Sequence, residues 1–166
     1  EYGQRYNRRN IHNLIGKIKV DFSYKRSYYL YINLTMRALN MTTLLNIDAN
    51  TVATQATNAA NIAKDVFLAK WKEATGGNAY GEPMYCGFGW VQVTPEHKGN
   101  TRLGKQERTV LEQMGFRKDW TGKSYQLWNA GGYNGQSMDV KEAACDAYAS
   151  VLKSYGVRAS ACSRAD

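Results

Sequence analysis

The sequence predicts an α+β fold: a small sandwich with helices packed on one face of a single mixed β-sheet, preceded by a basic β-hairpin or arm. Three observations carry that expectation. Segments with apolar residues at helical spacing take turns along the chain with short runs rich in aromatic and β-branched residues. Glycine clusters stand at the joints between them. The 166 residues are 43% hydrophobic, enough for one core without covalent staples.

The first element is the basic one. Residues 1–13, EYGQRYNRRNIHN, are polar and predict an arm carrying Arg5, Arg8 and Arg9. From Lys17 to Leu34, KIKVDFSYKRSYYLYINL, the chain alternates. Ile18, Val20, Phe22 and Tyr24 fall on one side of a strand, with Lys17, Lys19, Asp21 and Ser23 on the other. Tyr28, Leu30, Ile32 and Leu34 repeat the pattern, so a hairpin turning near Lys25-Arg26-Ser27 is expected. At about residue 41 the composition shifts from basic and tyrosine-rich to Ala/Thr/Asn-rich. Met41 offers a second place to start translation. The expected units are therefore an extension over 1–40 and a compact α+β domain over 41–166.

Within 41–166 the elements follow in order. Val52, Ala56, Ala59, Ala63, Val66, Phe67 and Trp71 predict a long helix over about 50–75, stopped by Gly76-Gly77. MYCGFGWVQV reads as a buried strand. TRLGKQERTVLEQMG predicts a helix over about 101–115 with Leu103, Val110, Leu111 and Met114 inward. KSYQLWN, about 123–129, is a short strand leading into the loop AGGYNGQS. Ala143, Ala144, Ala147, Val151 and Leu152 mark the apolar face of a helix over about 138–155, capped by Gly156. VRASAC, about 157–162, closes the chain as a strand.

Charge narrows the function. The formal net charge is +8 and the pI about 9.4. Residues 1–40 hold eight Lys/Arg against two acids, a net +6; residues 41–166 hold fourteen against twelve, a net +2. The basic signal thus belongs to the front of the chain and favours an anionic partner. Cys86, Cys145 and Cys162 form no CxxC pair, so they read as buried structural thiols in a reducing cytoplasm. The apolar runs are too short for a membrane span. The first sixteen residues lack the apolar core of a secretory signal.

No complete catalytic signature is present, so the expectation leans away from an enzyme. GNTRLGKQ, Gly99 to Gln106, matches the GxxxxGK of a phosphate loop but places Gln106 where a magnesium-binding Ser/Thr is needed. It reads better as a polar loop with Thr101 capping a helix. Gly87 and Gly89 in CGFGW read as points where a helix or neighbouring backbone approaches closely. His12 and His97 are far apart and support no metal site, and nothing in the pattern calls for a cofactor.

Two constellations remain. Arg8, Arg9, Lys25, Arg26, Tyr29 and Tyr31 interleave cations with rings, as binders of single-stranded nucleic acid do: cations follow phosphates and rings stack on bases. Plain strand-edge chemistry and an oligomerisation arm explain the same residues. Separately, Trp128, Asn129, Tyr133, Asn134 and Gln136 lie just past a strand end. If the last strand is a parallel neighbour of that one, Asn129, Gln136, Arg164 and Asp166 meet at one rim. Amides, an Arg fork and a Trp face suit a planar polar ligand such as a nucleotide.

The Cys-Gly-Phe-x-Trp-Val strand at Cys86 to Val91, Trp128-Asn129, Gln136, the Ala-rich helix from Ala143 to Ala149 and the Arg-x-Asp ending at Arg164 to Asp166 together resemble small, uncharacterised accessory proteins of tailed bacteriophages. The resemblance covers residues 82–166 and implies an accessory role in the bacterial host cytoplasm, with no reaction attached. The leading expectation is a non-catalytic binder of nucleic acid or a nucleotide-like anionic partner. The alternatives are a small enzyme or sequestering protein for a nucleotide-derived metabolite, and a structural homo-oligomer.

Overall fold

The structure is a computed structural model, and it describes residues 48–76, 83 and 85–166. The hairpin expected over Lys17–Leu34 and the boundary near residue 40 lie outside the described residues. The first described element, α1, spans Ala49–Ala74. Asp48 caps it by accepting from the Asn50 and Thr51 amides and the Thr51 hydroxyl, which holds its carboxyl below the ordinary value. There follow β1 (Gly87–Val93), α2 (Arg102–Gln113), β2 (Arg117–Lys118), β3 (Tyr125–Trp128), α3 (Met138–Ser154) and β4 (Ala159–Ala165).

The strands form one sheet in the order β2-β3-β1-β4, and every pairing is antiparallel. The α+β class stands, but the expected mixed sheet does not. The reason is β2. Two residues are too few for any periodicity to show, yet they turn the chain after α2, so β3 returns antiparallel to β1. The β1-α2-β2 connection leaves a slot that β3 fills, and β3-α3-β4 leaves a slot that β1 fills. Element order and strand order are those of the ferredoxin-like split β-α-β arrangement, with α1 added in front.

One layer of helix covers one face of this sheet. α3 lies along β1 and β4, and α1 packs along α3. Alternation decides what faces the helices. Gly87, Gly89, Val91 and Val93 of β1 point inward, joined by Tyr125 and Leu127 of β3 and Ala159 and Ala161 of β4. The inward side continues into Leu111, Phe116, Cys145, Tyr148 and Leu152, with Phe116 edge-on to Tyr148 at 6.1 Å. Each such side chain contributes about 1.5–3 kcal/mol by leaving water. Tyr148 also hydrogen-bonds Thr57 of α1, and burial pushes its hydroxyl pKa up to about 12.

The strand glycines are close-approach positions. A Cβ on Gly89 would sit 2.8 Å from Lys141 Cβ, and one on Gly87 would sit 2.5 Å from the Arg164 carbonyl oxygen and 2.9 Å from Met138 Sδ. Only glycine lets the first turn of α3 lie this near the sheet.

Three local expectations are corrected. MYCGFGWVQV is not buried on both sides: Phe88, Trp90 and Gln92 alternate away from the helices and remain at least partly exposed. Leu103 points outward. The buried stripe of α2 runs Gly104, Glu107, Leu111, because the 94–100 loop folds against it, and Leu103 is one helical step off that line. Of the three thiols only Cys145 is buried; Cys86 is exposed at the start of β1 and Cys162 lies on the outward side of β4.

Candidate functional site

The outward face of the sheet is where chemistry-bearing side chains gather. No described helix covers it. Residues directly opposite in an antiparallel pair share a face, so the register reads off its contents. Phe88 stands opposite Arg164. Trp90 stands between Trp128 and Cys162. Gln92 stands between Gln126 and Ser160, with Arg117 beyond Gln126 on the edge strand.

The aromatic row is ordered. Trp128 stacks on Trp90 with centroids 4.9 Å apart and planes 22° apart, and Phe88 meets Trp128 edge-on at 6.2 Å. Trp128 Nε1 donates to Gln126 Oε1 at 3.2 Å, and Gln126 Nε2 reaches Gln92 Oε1 at 3.4 Å. This chain of side chains fixes the indole plane while half of Trp128 stays in solvent: it is 50% exposed, and Phe88 36%. Two cations attend the Phe88 ring. The Arg164 guanidinium lies 5.6 Å from its centroid and Lys141 Nζ 5.8 Å, within cation–π range. Lys141 is held there by a 2.8 Å hydrogen bond to the Gly87 carbonyl.

Beside this row lies a groove of about 330 Å³. Phe88, Gly89, Trp128 and Lys141 form one part of its wall, and Asn129 with the 133–135 loop the other. The loop is shaped by Asn129, which has φ 52°. Its Oδ1 accepts from the Tyr133 amide at 3.0 Å and its Nδ2 donates to the Tyr133 carbonyl at 2.9 Å.

Of the residues the sequence singled out, Trp128 and Arg164 lie on one face, two rows of the sheet apart. β3 and β4 do run parallel to each other, as the rim idea needs, but β1 separates them, so they are not neighbours. Gln136 and Asp166 flank the entry to β1. The Gly87 amide donates to the Gln136 carbonyl, the Asp166 amide donates to the Cys86 carbonyl, and the Cys86 thiol sits 3.4 Å from Gln136 Oε1. Asn129 is the one whose side chain is engaged by its own loop. Arg8, Arg9, Lys25, Arg26, Tyr29 and Tyr31 lie outside the described residues.

Phe88, Trp90, Lys141 and Arg117 were not among the residues the sequence pointed to. The signal for two of them was present: Phe88, Trp90 and Gln92 alternate with Gly87, Gly89, Val91 and Val93, a one-sided strand with rings on the face opposite its glycines. Lys141 and Arg117 carry no such signal, because only the packing of α3 and the pairing of β2 bring them to the face.

The GNTRLGKQ stretch is a helix start. Thr101 Oγ1 accepts from the Gly104 amide at 3.0 Å. Just ahead of it, the amides of Glu96 and His97 donate to the Glu107 carboxylate at 2.8 and 3.0 Å. Arg108 Nη1 donates to the carbonyls of His97 and Gly104. Among the described residues no group of three or more His, Cys, Asp or Glu is placed to hold a metal ion, and no helix is long and apolar enough to cross a membrane.

No protein-family model matches the chain, and neither a curated protein nor a solved structure does.

Proposed function

We propose that the chain binds single-stranded nucleic acid on the outward face of its sheet, without catalysis. The observation that carries this reading is the partly exposed row of Trp128, Trp90 and Phe88 with Arg164 and Lys141 beside Phe88. Bases stack on a fixed indole at little ordering cost, and the flanking cations meet the phosphates. The charge of the whole chain, +8, favours the same partner. In this reading the protein is a phage-type accessory protein working in the host cytoplasm, and the basic residues ahead of position 41 add attraction.

Fluorescence anisotropy of a labelled single-stranded oligonucleotide tests it. Affinity should fall steeply as salt rises, and Trp128→Ala should weaken it by roughly five- to 150-fold, the equivalent of ~1–3 kcal/mol for one stacked base. Absent retention, or retention indifferent to salt, would sink the proposal.

A second reading rests on the groove beside Trp128, whose volume falls at the lower end of the range for small-molecule sites. There a mononucleotide-like metabolite stacks on Trp128 with its anionic end toward Lys141 and Arg164. A thermal-shift series of nucleotides with the full chain and with Arg164→Ala separates the two readings. The third candidate, a homo-oligomer closed through the N-terminal segment, is decided by the mass of the particle in solution with and without residues 1–40.

A further inference from the structure

The β2–β3 hairpin carries a feature that the sheet face does not explain. Trp120 at its tip is 96% exposed. An indole this bare usually belongs to a loose loop, but this loop is tightly tied. Asp119 accepts from the Thr121 hydroxyl, the Lys123 amide, and the amide and hydroxyl of Ser124. The Asp119 amide in turn donates to the Ser124 carbonyl at 2.9 Å and closes the turn. Ser124 itself is buried, which anchors the base of the hairpin in the domain. Arg117, Lys118 and Lys123 lie within three residues of Trp120 in the chain, all exposed. The one acid among them, Asp119, has its oxygens occupied by those hydrogen bonds.

An exposed ring on a tied turn, with cations at neighbouring positions in the chain, is the chemistry that takes a nucleobase and its phosphate together. A lipid surface fits less well. Interfacial binding scales with buried apolar area, and Trp120 has Asp119 and Thr121 beside it and no aliphatic companion on the tip.

Geometry links the tip to the face. Arg117 stands opposite Gln126 and so shares the side of Trp128. β3 advances about 3.4 Å per residue, so the steps from Ser124 to Trp128 put the base of the hairpin roughly 14 Å from the Trp128 end of the strand. We propose that the hairpin tip is a second stacking point of the same interface: a strand with one base on Trp128 runs along the edge of the sheet past Arg117 and places another base on Trp120. This rests on the sheet-face reading above and gives it a minimum length.

Strand length is therefore the test. A trinucleotide of deoxythymidine and a deoxythymidine strand of about fifteen nucleotides are titrated into the full chain, and into Trp120→Ala and Trp120→Phe, with the indole N–H signals followed by NMR. The trinucleotide should shift the Trp128 signal and leave Trp120 where it is; the longer strand should shift both. Trp120→Ala should cut affinity for the longer strand about tenfold and for the trinucleotide less than about twofold, and Trp120→Phe should restore most of the loss. Trp120 packs on nothing, so the variant's fold is checked by its unchanged amide spectrum. Equal loss at both lengths, or no loss at the longer one, overturns the inference while the face still binds. Failure of both lengths to bind removes the sheet-face reading and this one together. An effect of Trp120→Ala on retention by anionic vesicles with none on the longer strand assigns the tip to a membrane instead and overturns it too.

Discussion

Asn129 takes up a left-handed backbone position and clamps Tyr133 with both ends of its amide. Alanine there would lose both hydrogen bonds and meet the steric cost of positive φ, together about 2–3 kcal/mol; glycine would lose only the bonds, about 1–2 kcal/mol. Urea unfolding of the two variants should show that order, with the 133–135 side of the groove disturbed in both. Glu107 is a second such residue. Its carboxylate satisfies two loop amides and faces His97 Nδ1 at 3.2 Å. Glu107→Ala would leave those amides without their partner, a loss of about 2–3 kcal/mol. The thiols differ by placement alone. Burial pushes the Cys145 pKa up to about 11, which keeps it protonated and shielded, whereas Cys86 is exposed. A maleimide at neutral pH should therefore label Cys86 in the folded protein, and Cys145 only after denaturant is added, as peptide mass mapping would show.

At the scale of the element, the β2–β3 hairpin depends on an ionised Asp119. Desolvation works to raise its pKa, and the hydrogen bonds from Thr121, Ser124 and the turn amides outweigh it, so the folded value lies below the ordinary 3.8. A carboxyl lowered by folding contributes its stabilisation in full above the unfolded value and loses it as the pH falls through the folded value. The hairpin should thus hold at neutral pH and loosen only in acid below 3.8, seen as collapse of the Ser124 amide shift toward its random-coil position. α2 has an equally local dependence. A Cβ on Gly104 would lie 1.9 Å from the Lys98 carbonyl oxygen, a backbone atom that cannot swing aside. Gly104→Ala should force the 94–100 loop off the helix and destabilise by about 1–3 kcal/mol.

For the whole molecule, the division of labour between the two sheet faces is the central point. One face is alanine, valine, glycine and buried tyrosine under α3; the other is indole, phenyl, amide and guanidinium in solvent. Partner binding on the second face leaves the core untouched, so affinity and stability should respond to different mutations. The salt dependence tests this on the whole particle. Each phosphate neutralised on a single strand contributes a double-log slope of about −0.7, so three contacts by Arg117, Lys141 and Arg164 predict about −2. Replacing all three with glutamine should flatten that share of the slope with little change in the melting temperature.

How much of this was legible in the linear chain depends on the range of the interaction. α1, α2 and α3 were readable to within a few residues, because helical spacing, the Thr101 cap and the glycines after Thr75 and Tyr155 are local signals. β1 and β3 were readable from their rings and β-branched residues, and so was Trp128 as a candidate contact. β2 was not, since two residues have no period, and with it went the antiparallel pairing. The partners of Trp128 were hidden for the same reason. Phe88, Trp90 and Lys141 are scattered over about fifty positions, and only strand register and the approach of α3 over Gly87 and Gly89 gather them here, while Arg164, already a candidate in the sequence, reaches the face opposite Phe88 and not at a rim shared with β3. By itself the sequence determined the α+β class, the helices and the basic balance of the chain, because propensity, periodicity and charge are properties of neighbouring residues. The tertiary structure alone decided strand order, which side of β1 meets solvent and which cations attend the rings, because those follow from pairing between segments far apart in the chain.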